Sequence, residues 1–135
     1  SKEALILAAL EQRHTIFITW LTTILKGSNS NQQVVVQLFS ALDNWFNNAE
    51  PTLGDFRGCF FINSSAEFSD KNSKISLFCQ HHKQQCRQVI AQALTSKNSL
   101  LLDAICLMKE GAITTAYVSG DHGVAKKCIE VLNKL

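Results

Sequence analysis

A single proline, Pro51, interrupts 135 residues whose apolar side chains recur at helical spacing. Proline and turn clusters are what divide a chain into short elements, so their scarcity leaves long segments that suit helices. Val35, Leu38, Phe39, Leu42, Trp45 and Phe46 follow the i, i+3, i+4, i+7 pattern, and the spacing predicts a helix from Asn31 or Gln32 to about Asn48. It ends before Pro51, because the residue preceding a proline avoids helical geometry. One such helix cannot bury its stripe alone. The fold class is therefore all-α, and 135 residues suit one domain over 1–135.

Other stretches supply the partners. Lys2 to about Lys26 reads as a long first helix, with Ser1 as its cap and Ile6, Leu10, Phe17, Leu21 and Ile24 as its stripe. Trp20 sits at the edge of that stripe. Ala4 to Leu10 is apolar nearly all round, more than one packing face requires, so these turns meet something beyond the domain's own core. Asp70 or Asn72 opens a helix to about Leu94 with Ile75, Phe78, Cys79, His82, Cys86, Val89, Ile90 and Ala93 inward. Lys74, Gln80, Lys83, Gln84, Arg87 and Gln88 form its solvated side. Asn98 to Ser119 is the most apolar helix, closed by Gly120, and Asp121 caps a last helix running to Leu135.

Between the second helix and the one after Asp70 lies Gly54-Asp-Phe-Arg-Gly-Cys-Phe-Phe-Ile-Asn-Ser-Ser-Ala-Glu-Phe68. Two glycines let the chain enter a crowded interior, and Cys59–Ser69 reads as a short, largely buried helix. Cys59 then stands in the first turn, where free N–H groups, the helix dipole and nearby Arg57 favour a thiolate. A small buried residue, packed where a phenylalanine would not fit, is the other reading of the same cysteine.

Charge and cysteine usage exclude several classes. A net charge of +2 is too mild to claim a nucleic-acid surface, and no run of 18 apolar residues spans a membrane. The five cysteines form no CxxC pair, and four lie on predicted apolar faces, which suits a reducing cytoplasm. Cys79, His82 and Cys86 share a helix face, yet the spacing matches no metal signature. Small core residues with a hydrogen-bonded histidine are the preferred reading, and no metal or other cofactor is expected. Cys59 and His82 can be written as nucleophile and base, but no oxyanion donor or orienting carboxylate accompanies them, so no enzyme is expected.

Three segments carry a resemblance. Ser1-Lys-Glu-Ala-Leu-Ile-Leu-Ala-Ala-Leu-Glu11 resembles the junction after the DNA-reading helix in TetR/AcrR-family regulators. Gly58-Cys-Phe-Phe-Ile-Asn-Ser-Ser-Ala-Glu67 resembles the Gly-Cys…Asn…Glu segment of one large branch of that family. Glu110-Gly-Ala followed by Gly120-Asp121 resembles the stretch leading into its dimer-forming helices. The similarity runs through the whole chain in order and spacing. It implies a six-helix C-terminal effector-binding and dimerisation domain of a bacterial, cytoplasmic repressor. The last two helices would form a four-helix interface in a homodimer, and operator DNA would be bound only through a helix-turn-helix domain preceding Ser1. The start without Met reads as a fragment.

The resemblance implies that a small molecule releases the dimer from DNA, and the side chains inferred to line its pocket suit an apolar or aromatic compound. Its pocket would be walled by Phe17, Trp20, Leu21, Leu42 and Trp45, closed by Cys59, Phe61 and Ile62, with Phe78, His82 and Cys86 opposite. Cys59 occupies the position that serves some relatives as a redox or electrophile sensor. Expected dimer contacts are Leu101, Ile105, Met108, Ala112, Val124, Cys128, Ile129 and Leu132. A helical interaction module without a small-molecule ligand is the alternative.

Overall fold

The computed structural model describes residues 1–135 as six α-helices joined by turns: α1 (Lys2–Leu25), α2 (Asn31–Phe46), α3 (Phe60–Glu67), α4 (Lys74–Ala93), α5 (Ser99–Ser119) and α6 (Val124–Asn133). The fold is all-α. Most starts are set by small polar caps that satisfy a free N–H of the first turn. The side chains of Ser1, Ser30, Ser73 and Asn98 accept from the amides of Ala4, Gln33, Ser76 and Leu101. Ser73, rather than Asp70 or Asn72, therefore opens α4. Gly120 closes α5 with φ +67, a left-handed conformation that costs glycine little.

Two further boundaries differ from the sequence reading. Cys59 is the N-cap of α3 rather than a residue of its first turn, and its sulfur accepts from the Ile62 amide at 3.4 Å. Asp121 does not cap α6 by a side-chain bond to its first turn. Its carboxylate instead accepts from the Gly123 amide and from Lys127, and α6 begins three residues later at Val124.

The second helix is the centre of the bundle, packing on α1, α4, α5 and α6, while α1 lies chiefly against α4 and α3 rests on α4. Val34, Leu38, Phe39, Leu42 and Phe46 on α2 have no exposed surface. Each contributes about 1.5–3 kcal/mol by leaving water. Phe39→Ala would forfeit that gain and leave a cavity, at a cost of about 3–5 kcal/mol. The α1 stripe is completed by Leu25, while its first turns stay open: Leu5 is 74% exposed. The fifth helix is not buried all round, since Leu100, Leu107 and Val118 lie bare along one side of it. No helix is long and apolar enough to cross a membrane.

Candidate functional site

The stretch between α2 and α3 is held down rather than free. Asn48 adopts φ +59, tolerable for an asparagine, and its side-chain oxygen accepts from the Phe56 amide at 2.8 Å. Phe56 then packs on Trp45 and Phe46 with ring centroids 4.9 and 4.8 Å away. Arg13, reaching over from α1, donates to the Leu53 carbonyl at 2.8 Å. Gly58 turns the chain toward α3 with φ +77, against the ring of Tyr117, where a Cβ would sit 3.0 Å from the ring's Cγ. These ties bring Asp55 and Arg57 to the rim of a cleft, and Gly58 and Cys59 into its buried lining.

That cleft has a volume of about 330 Å³. Its aromatic wall is Phe17 from α1, Trp45 from α2, Phe61 from α3 and His82 from α4, and Ile113 reaches it from α5. His82 lies flat on Phe61, centroids 3.5 Å apart and planes within 5°. Both its ring nitrogens face protein partners: Nδ1 is 2.8 Å from Nδ1 of His14, and Nε2 is 3.5 Å from the Cys86 sulfur. The imidazole thus offers the cleft its ring and no unpartnered nitrogen. Its pKa falls to about 2, first through burial and then through the charges of Lys83 and Lys109 and the neighbouring histidines, so it is neutral. Burial, followed by His81, also lowers His14.

Polar groups crowd the other side. Lys83 lies between Cys59 and Glu110: its ammonium is 3.3 Å from the sulfur and 2.9 Å from both carboxylate oxygens. Lys109, 2% exposed, donates to the same carboxylate at 2.8 Å. Burial alone would raise the Glu110 pKa, but the two ammonium groups hold it below the usual carboxylate range. Burial likewise opposes the charge on Lys109, and the surrounding Cys86 and Glu110 outweigh it, so that its pKa is raised. Arg13 lines the cleft with its guanidinium carbon 5.9 Å from the Trp45 ring centroid, and no carboxylate pairs with it. The Trp45 indole N–H is buried and has no acceptor.

Of the residues expected to form a pocket, Phe17, Trp45, Cys59, Phe61 and His82 line this cleft together. Leu21 and Leu42 are fully enclosed in the core, and Trp20 is buried beside Phe17 without lining the cleft. Cys86 lies beneath His82, and Phe78 packs edge-on against His14. Ile62 faces a separate shallow groove with Cys79 and Gln80. Cys79, His82 and Cys86 do not converge into a three-residue group placed to hold a metal ion.

Lys83 corrects the sequence reading: it turns from the solvated side of α4 into the cleft because Glu110 supplies two acceptors. It, not Arg57, is the cation bonded to Cys59. Arg13 and Lys109 were missed. Lys109 carried a signal, since it continues the buried series Ile105, Ala112, Ala116 at helical spacing.

The expected dimer contacts divide in two. Ile105, Ala112, Cys128 and Leu132 are buried in the chain's own core, so they are not available to a second chain in this arrangement. Leu101, Met108, Val124 and Ile129 are half-buried against that core. The bare apolar residues of these helices are instead Leu100, Leu107, Tyr117 and Val118 on α5 and Val131 on α6. Comparison with family models, with curated proteins and with solved structures finds no match for this chain.

Proposed function

We propose that residues 1–135 are the effector-sensing and dimerisation domain of a bacterial TetR-like repressor, in which a small ligand in the cleft releases DNA bound by a preceding domain. The observation that carries this reading is the cleft itself. It has an aromatic wall and takes residues from α1, α2, α3, α4 and α5, so its occupant bears on α1 directly through Arg13 and Phe17. A ligand that fits one tilt of α1 better than another shifts the population toward that tilt, and the shift is bounded by the difference in affinity. The open apolar turns around Leu5 offer a surface for a preceding domain. Cys59, which lines the cleft and lies 3.3 Å from the Lys83 ammonium, would report an electrophile that enters the same site.

The exposed series Leu100, Leu107 and Val118 on α5, beside Val131 on α6, favours a two-fold pairing with a second copy. The same surface supports a second reading, a helical interaction module with no small-molecule ligand. A compound-release assay separates the two. The intact regulator is retained on its operator fragment, and compounds that bind the isolated domain are added. Release that is lost in Trp45→Ala supports the sensor, whereas a domain that binds none of the compounds offered, while still pairing, favours the module.

A further inference from the structure

Four groups around the cleft raise a question that an apolar ligand leaves unanswered. Arg13 is only partly exposed, its one protein acceptor is the Leu53 carbonyl, and no carboxylate lies against it. Trp45, 3% exposed, lines the same cleft with its ring, while its indole N–H is enclosed and has no acceptor. Arg57 stands on the rim, and Lys83 shares Glu110 with Lys109, so that trio retains one net positive charge. Buried donors without acceptors are costly, and a half-buried guanidinium without a counter-ion is unusual. A guanidinium that lines the cleft without a counter-ion suits an anion that comes from outside.

We propose that the ligand of this cleft is a small aromatic carboxylate, with Arg13 as its counter-ion and Phe17, Trp45 and Phe61 around its ring. The inference rests on reading the cleft as the effector site. A planar guanidinium is matched to a carboxylate, and the N–H groups of Arg13 that Leu53 does not occupy provide for both oxygens. Asp55 on the same rim opposes further negative charge, which favours a monoanion over a phosphate dianion. A volume of about 330 Å³ lies at the small end of the range for ligand pockets, about 300–1,000 Å³, and suits one ring or two fused rings.

The test compares isosteric pairs by calorimetry on the 135-residue chain at neutral pH: benzoate against benzamide, and naphthoate against naphthamide. A charge-assisted hydrogen bond predicts acids about tenfold to a hundredfold tighter than amides. Arg13→Met should bring the two within about threefold, and Arg13→Lys should restore part of the preference through its charge. Because Arg13 also ties down Leu53, each variant's melting temperature is measured alongside, and the wild-type comparison stands without any variant. Equal binding of acid and amide would overturn the anion assignment and leave the cleft a neutral-ligand site. Binding of neither would overturn both the assignment and the effector-site reading beneath it. An acid preference that survives Arg13→Met but is lost in Arg57→Met would overturn the role given to Arg13.

Discussion

Replacing Glu110 by glutamine removes the charge that holds two ammonium groups, and the two respond differently. The Lys83 side chain is 30% exposed and can return to water, but Lys109 at 3% cannot. Breaking a buried ion pair from one side costs about 3–5 kcal/mol, because the remaining charge is left uncompensated. Glu110 is itself 31% exposed and water can reach its place, so the lower end applies: about 3 kcal/mol. For a chain of this length that is a fall in melting temperature of about 10 °C. Lys109→Met keeps the apolar stem, removes the buried charge and leaves Glu110 with Lys83. Its expected cost is within about 1 kcal/mol. Adding Lys109→Met to Glu110→Gln should recover most of the loss. Scanning calorimetry on the three variants decides the matter. A Glu110→Gln melting point within about 1 °C of wild type, or a Lys109→Met loss as large as that of Glu110→Gln, would refute the reasoning.

The remaining predictions concern pH, backbone, thiols and assembly. His82 is depressed to about 2 in the folded chain, so unfolding takes up a proton below the ordinary histidine value of about 6.5. Its contribution is full above that value and is lost as pH falls toward the folded pKa, at up to about 1.4 kcal/mol per pH unit. His82→Phe should flatten that slope in urea titrations, and an unchanged slope would remove His82 as its source. The Glu110 contribution follows the same sign in a lower window: it is full above about pH 4.3 and declines as the carboxyl is protonated. Gly58→Ala should cost about 1–2 kcal/mol, since an L residue is strained at φ +77 and its Cβ meets Tyr117; chemical denaturation measures this. Iodoacetamide should label Cys59, which lines the cleft with the Lys83 ammonium 3.3 Å from its sulfur, before Cys79, Cys86, Cys106 and Cys128. Peptide mass spectrometry over time would show whether it does. Leu107→Glu, placed on the bare side of α5, should convert a dimer into monomer in light scattering, and a wild-type monomer at micromolar concentration would remove the two-fold pairing.

The helices were legible in the sequence because their information is local. A cap such as Ser1, the stop at Gly120, and the stripe through Leu38, Phe39, Leu42 and Trp45 each lie within a few residues of what they determine. The cleft was legible only on its aromatic side, where Phe17, Trp45, Phe61 and His82 follow inward periodicity. Its polar side was not. Lys83 sits on the solvated edge of the α4 wheel, and its inward turn is decided by Glu110, 27 residues further on. Arg13 depends in the same way on Leu53, 40 residues away. Long cationic side chains reach wherever an acceptor is offered, so helical position constrains them weakly. The start of α6 was misplaced for a related reason: Asp121 can serve either the Gly123 amide or a cap, and Lys127 favours the former.

The chain has two tryptophans, and both indole N–H groups are buried without an acceptor, but only Trp45 lines the cleft. That pair is an internal control for the claim that a small molecule binds there. In a proton–nitrogen NMR titration, naphthoate should give a saturable shift of the Trp45 indole signal, with the Trp20 signal moving much less. Assignment follows from Trp20→Phe. Equal movement of both signals, or movement of Trp20 alone, would contradict the cleft as the site of binding.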